Sequence, residues 1–157
     1  MSRVTRATQA LDRAGIAFAL REYAYDPEAA SIGLHAAAAI GEPPARVLKT
    51  LMAAVDGRPV CVVIPSDREA SMKRLAAAFG GRQARMLSPA EAERITGYHV
   101  GGISPFGQRR AVPVAIEASA LSEPYIFVNG GQRGLQLRLD PAAALAALGG
   151  RAAPLIA

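Results

Sequence analysis

The chain has 157 residues, 51% of them hydrophobic and only 5% aromatic, which suits one domain whose core is built from Ala, Val, Leu and Ile. No apolar run approaches the ~20 residues of a membrane span, and Met1-Ser2-Arg3-Val4-Thr5-Arg6 leads into an amphipathic pattern without a signal core, so neither an anchor nor a secretory leader is expected. The net charge of +5 and pI near 10 suit an anionic partner such as nucleic acid, or simply a basic surface.

The spacing of Val4, Ala7, Leu11 and Ala14 predicts an amphipathic helix over 3–14, with Ser2 as its cap and Gly15 as its stop. Residues 16–23, with Phe18 and Leu20, read as a strand that turns out at Tyr23-Ala24-Tyr25-Asp26-Pro27. A helix over 31–40 is stopped by Gly41. Residues 46–55 are apolar on both sides of Lys49 and read as a buried strand. Asp56-Gly57 is a hairpin signal, and the return strand covers 59–65. A helix over 69–79 carries Met72, Leu75, Ala76 and Phe79 inward and Lys73 outward, and residues 82–86 form a short strand. Ser88-Pro89-Ala90-Glu91 is a capping box with proline at the first helical position, opening a helix to about Thr96.

Gly97-Tyr98-His99-Val100-Gly101-Gly102-Ile103-Ser104-Pro105-Phe106-Gly107 follows. Its glycines and proline exclude a regular helix and disfavour a central strand. It is a shaped loop, either a long surface turn or backbone that a ligand approaches closely. Strands are expected over 111–116, 125–128 and 135–139, with a second glycine-rich turn at 129–134. Asp140-Pro141 starts a helix to Leu148, and 152–156 adds a last strand. Helices, hairpins and short strands without strict βαβ alternation favour an α+β fold. The expectation is one domain over 1–157, with a mixed, curled, barrel-like sheet and surrounding helices.

Cys61 is the one cysteine and sits in the apolar run 60–64. It excludes an internal disulfide framework and suits the cytosol, so a cytoplasmic location is expected. With His35 and His99 it makes a poor metal set, and neither a metal nor a cofactor is expected. Of 18 basic residues, 16 are arginine and only Lys49 and Lys73 are lysine. A compact ammonium fits where a planar guanidinium does not. Lys49 in an apolar strand is either a snorkelling strand-end lysine or a functional charge. Two glycine loops offer backbone N–H groups suited to a carboxyl or phosphate oxygen. No Ser–His–Asp set, Cys–His pair or lysine-serine ending of a P-loop is present.

Val47-Leu48-Lys49-Thr50-Leu51, Thr96-Gly97-Tyr98 running through Val100-Gly101-Gly102-Ile103-Ser104-Pro105-Phe106-Gly107-Gln108, and Gly130-Gly131-Gln132-Arg133-Gly134-Leu135 together closely resemble the YbaK-type aminoacyl-tRNA deacylases. These are free-standing relatives of the editing domain of bacterial prolyl-tRNA synthetases, and the resemblance runs from the first helix to the helix after Asp140. It implies a hydrolase that clears mischarged tRNA, for this branch cysteinyl-tRNA(Pro), bound by its 3′ acceptor end, with prolyl-tRNA synthetase as a candidate partner. It implies that Lys49 holds the tRNA end and the ester, and that amides of Gly101 to Pro105, with Gly101 and Gly102 counted as catalytic, face the substrate carbonyl. Tyr23, Ile32, Thr50, Ile103, Ser104, Pro105, Phe106, Asn129, Gly130 and Gly131 are the substrate-binding positions it implies. It further implies that the thiol of the esterified cysteine is the nucleophile. Ile32, Asn129 and Gln136 depart from close relatives, which carry an aromatic, a small hydroxyl residue and an acid there. These changes bear on amino-acid preference. Editing of alanine or serine by an activated water, or a non-catalytic tRNA- or protein-binding module, are the alternatives.

Overall fold

The computed structural model describes residues 3–157. Helix α1 spans Arg6–Ala14. Its cap is Thr5: the Thr8 N–H donates to Thr5 Oγ1, and the Thr5 N–H donates to Thr8 Oγ1 at 2.8 Å. The expected cap, Ser2, lies outside the described residues. The reciprocal Thr5–Thr8 pair starts the helix three residues later than its apolar spacing suggests, because two otherwise orphaned donors are satisfied at once. Strand β1 is Ala19–Glu22 and α2 is Ile32–Ile40, capped by Ser31.

Strands β2 (Leu48–Val55) and β3 (Arg58–Pro65) form the antiparallel hairpin at the centre of the molecule. Asp56 and Gly57 both have positive φ at their turn, as the tight primed hairpin requires. Next come α3 (Met72–Ala78), β4 (Ala84–Met86) and α4 (Pro89–Thr96), the last with the expected Ser88–Glu91 box. Strand β5 is Val114–Glu117, three residues shorter at its start than expected. Pro113 has no N–H for the ladder, although its carbonyl accepts from Cys61 N–H at 2.9 Å. Strands β6 (Ile126–Asn129) and β7 (Leu135–Leu139), helix α5 (Pro141–Ala147) and β8 (Arg151–Ala153) complete the order. The last strand stops early, and Ile156 makes only a single bridge to Ala70.

The sheet is mixed, as expected, but divided in two. Strands β1-β7-β6 form an antiparallel three-stranded sheet. Strands β4-β2-β3-β5-β8 form a five-stranded one in which β5 runs parallel to β3 and β8. They meet where Val47 bridges Phe127, just before β2. The two-residue alternation of β2 serves both sides. Leu48 and Met52 face the smaller sheet with Ile126, Val128 and Leu137, under Leu11 of α1. Ala53 and Val55 face Leu75 and Ala76 of α3, closed by Leu155. The Glu117 carboxylate, itself buried, accepts from Leu155 N–H and Ser119 N–H, which pins the tail over this second core. No helix among the described residues is long and apolar enough to cross a membrane.

Candidate active site

Where the two sheets meet, a cleft of about 260 Å³ opens between α2, the first residues of β2 and the loop after α4. Its walls are mainly apolar, from Ile32, Ala36, Val47, Leu51 and Ile103. Lys49 and Thr50 enter from β2, Tyr23 from the end of β1, Gly101 from the loop, and Asn129 and Gln136 from facing positions of β6 and β7. Neither a histidine nor a carboxylate lines it. The half-buried Lys49 ammonium has no hydrogen-bond or ion-pair partner among the described residues. Thr50 Oγ1 and Gln136 Oε1 are buried there without a partner. Burial pushes the Tyr23 hydroxyl up, and the Gln136 carboxamide beside it acts the other way. The Tyr23 ring packs edge-on against His35 at 5.9 Å.

The glycine loop is held from outside so that one peptide faces inward. Val100 donates its N–H to Glu93 Oε2 at 2.9 Å, and its carbonyl accepts from Arg133 Nε at 2.9 Å. The Arg133 guanidinium also lies 5.3 Å over the Tyr25 ring. Because C=O and N–H point oppositely across a trans peptide, fixing the Val100 carbonyl on Arg133 turns the Gly101 N–H the other way. That N–H has no acceptor among the described residues, nor has Ile103 N–H, and both residues line the cleft. Asn129 Nδ2 holds the Gly101 carbonyl at 3.1 Å, while its Oδ1 accepts Gly131 N–H at 2.7 Å. Gly101 has φ +90°, and a Cβ on it would sit 2.6 Å from Tyr25 Oη, so no other residue fits without displacement.

Seven of the expected site residues thus converge on the cleft: Tyr23, Ile32, Lys49, Thr50, Gly101, Ile103 and Asn129. The others do not line it. Gly102 N–H is committed to the His99 carbonyl at 2.8 Å, so it is no donor to a ligand in this arrangement. Ser104 is fully buried, its Oγ accepting Phe106 N–H and its carbonyl accepting from Gln108 Nε2. Pro105 has no N–H, and Phe106 is packed in the core, its carbonyl taken by the Tyr98 hydroxyl. Burial pushes that hydroxyl up to about 12, so it stays a donor. The run 104–106 is therefore the inner anchor of the loop, because Ser104 Oγ and the Ser104 and Phe106 carbonyls find partners within the protein. Gly130 and Gly131 face α1: Gly130 N–H goes to Leu135, and its carbonyl takes the Thr5 hydroxyl at 2.6 Å.

Sequence reasoning missed Gly33, Tyr25 and the clamping role of Arg133. Gly33 had a signal, since glycine inside a helix marks close approach. A Cβ there would lie 2.8 Å from Ser66 Cβ. Tyr25 had none. Cys61 is fully buried between the sheets, with its thiol pushed up to about 12 by burial, against a weaker opposite effect of Gln108.

The family model of the aminoacyl-tRNA editing domain matches residues 26–146, which include nearly every wall of this cleft. The chain belongs to that family. The editing domain is 35% identical over 116 residues to an Enterococcus faecalis protein named "Putative Cys-tRNA(Pro)/Cys-tRNA(Cys) deacylase EbsC", covering 73% of this chain and 71% of that one. It is also 28% identical over 92 residues to the proline–tRNA ligase of Geobacter metallireducens, covering 59% of this chain and 16% of the ligase. The solved structure of hypothetical protein APE2540 superposes with a TM-score of 0.86 at 22% identity, covering 98% of this chain and 100% of that one, which shows the fold. The editing domain is of the aminoacyl-tRNA deacylase type, and its substrate class is mischarged tRNA.

Proposed function

We propose that the cleft discharges cysteine esterified to tRNA(Pro), with the substrate's own thiol as nucleophile. The observation that carries this reading is a small apolar cleft with a free ammonium and free backbone N–H groups but no activated side-chain nucleophile. Cys61 and Ser104 are buried away from it, and no histidine or carboxylate stands beside Thr50 to act as a base. The thiolate sulfur bonds to the ester carbonyl carbon. The bond from that carbon to the ribose oxygen breaks, and the oxygen takes up the proton the thiol released. The cyclic thioester then takes up water to give free cysteine.

Holding thiol and carbonyl in attack geometry makes the step intramolecular, which lowers a barrier by ~7–11 kcal/mol in favourable cases. Gly101 and Ile103 N–H groups meet the developing oxyanion. Lys49 holds the 3′ end by its phosphate or ribose oxygens, and Thr50 and Gln136 offer acceptors to the donors of the aminoacyl group. Neighbouring small amino acids are discriminated weakly by apolar contact, ~1–3 kcal/mol per methylene, so the chemistry supplies the selectivity. The relation to a stretch of a proline–tRNA ligase supports tRNA(Pro) as carrier and the synthetase as the protein that hands it over.

The test is the discharge rate of cysteine and serine esters on one tRNA(Pro), with Lys49→Ala as background. The cysteine ester is expected to go much faster. Lys49→Ala is expected to fold and lose most activity, and Lys49→Arg to be poor, since the fork is bulkier and differently hydrated. Equal rates for the two esters would point to a positioned water and sink the thiol step.

A further inference from the structure

At the opposite end of the central hairpin lies a second, larger cleft of about 700 Å³, and it is basic. Arg58 at the start of β3, Arg110 before β5 and Arg151 at the start of β8 all line it. None of the three is within ion-pair distance of a carboxylate among the described residues. The one carboxylate in its wall, Asp56, is exposed at the hairpin turn but is engaged by backbone donors. It accepts the N–H groups of Arg82 and Gln83, and that of Gln83 first, then that of Arg82, hold it below its usual range. Arg151 is already oriented: its guanidinium lies 5.2 Å over the Phe79 ring, and Nη1 donates to the Ala78 carbonyl at 3.0 Å. Its remaining donors are left for a ligand.

We infer that this cleft binds the phosphodiester backbone of the tRNA body while the 3′ end occupies the first cleft. The inference rests on the reading of the first cleft as a tRNA-editing site. Lys49 and Val55 stand six residues apart on one strand, about 20 Å at ~3.3 Å per residue, and by alternation they share a face. Helix α3 packs Leu75 and Ala76 against Ala53 and Val55, and Phe79 at its end lines the second cleft, with Lys73 and Arg74 exposed on its outer side. Between the arginines the walls are largely apolar, from Val55, Pro59, Val60, Phe79 and Val112, so the three guanidiniums supply the charge and donors, and they suit phosphate oxygens. Recognition here is of phosphates and so positions the RNA without reading its sequence.

The experiment measures binding of uncharged tRNA(Pro) across a salt series, and discharge of full-length cysteinyl-tRNA against a short aminoacylated 3′-end fragment. Arg58→Glu with Arg110→Glu is expected to weaken tRNA at least about tenfold and to reduce the salt slope by about one per arginine removed. Arg58→Gln with Arg110→Gln should do the same more mildly, which guards against a folding defect. The loss should be confined to full-length tRNA, because the fragment does not reach the second cleft. Unchanged tRNA affinity and salt slope in both variants would overturn the inference. So would unchanged tRNA binding with lost association to prolyl-tRNA synthetase, which would make the cleft a protein-docking surface. Binding is read without any ester. A wild-type protein that binds tRNA through these arginines but discharges nothing would therefore fail the proposed function and leave this inference standing.

Discussion

The two glycine-rich turns, 97–107 and 129–134, look alike in composition and are used in opposite ways. In the first, side chains from outside hold the carbonyls of Val100 and Gly101, so that Gly101 and Ile103 N–H groups are left free at the cleft. In the second, Gly130 and Gly131 N–H groups are both taken within the turn and its strands. Glycine serves access in one and close packing in the other: a Cβ on Gly130 would meet the Leu135 side chain at 2.7 Å. Asn129 links the two, since one amide bonds to both. Glycine content identifies neither use; the destination of each backbone hydrogen bond does.

The largest effect should come from breaking the first turn. Gly101→Ala forces a side chain onto φ +90° against Tyr25 and displaces the free N–H. On the proposed reading one oxyanion donor is lost, worth ~2.7–4 kcal/mol, so turnover should fall about 10²–10³-fold even after correction for the stability that the strained loop loses. A variant with normal turnover would remove Gly101 from the chemistry. Gly130→Ala should do the reverse, costing ~1–3 kcal/mol of stability by overpacking while the folded fraction keeps near-normal turnover. Denaturant melts and rates corrected for folded fraction separate the two cases.

Arg133→Met tests the clamp on the first turn, because it releases the Val100 carbonyl while the substituted side chain lies outside the cleft wall. About a tenfold loss in kcat is expected, with KM and salt dependence little changed, and added guanidinium should restore part of it. A raised KM with a shallower salt slope would instead make Arg133 an RNA contact. The smallest effect concerns Glu93, whose carboxylate lies below its ordinary 4.5, chiefly because it accepts Val100 N–H. A depressed carboxylate stabilises the fold above its unfolded pKa, and that contribution is lost as pH falls through the folded value. Wild type should therefore melt slightly above Glu93→Gln at neutral pH, and the gap should close in acid. A gap that widened on acidification would contradict the assignment.

Much of the fold was legible because local signals agreed with one another. Asp56-Gly57 marked the central hairpin, Ser88 and Glu91 marked α4, and the clean alternation of 135–139 marked β7. Errors fell where a neighbour outweighed the pattern. Thr8 reciprocated with Thr5 to move the start of α1, and Pro113 deprived β5 of a donor. In the site, the lone lysine in an apolar strand and the Gly-Gly-Ile-Ser-Pro run led to Lys49, Gly101 and Ile103, which reach the cleft, and also to Gly102, Ser104 and Pro105, which do not. Which side of that run faces outward was not legible. Gly101 and Ile103 line the cleft while Ser104 and Phe106 are buried, and only hydrogen bonds and packing to distant residues separate them.

Local sequence sets the strand that carries Lys49, the caps and turns at most element ends, and a loop that cannot be regular structure. These depend on spacing and on residue chemistry within a few positions. Three arrangements exist only once the chain is folded: the sheet divides at Val47 and Phe127 to open the cleft, Arg133 and Asn129 orient a peptide some thirty residues before them, and Arg58, Arg110 and Arg151 meet in a second cleft. Those arrangements join groups far apart in the chain, and no local preference encodes which distant partner a carbonyl or a guanidinium will find.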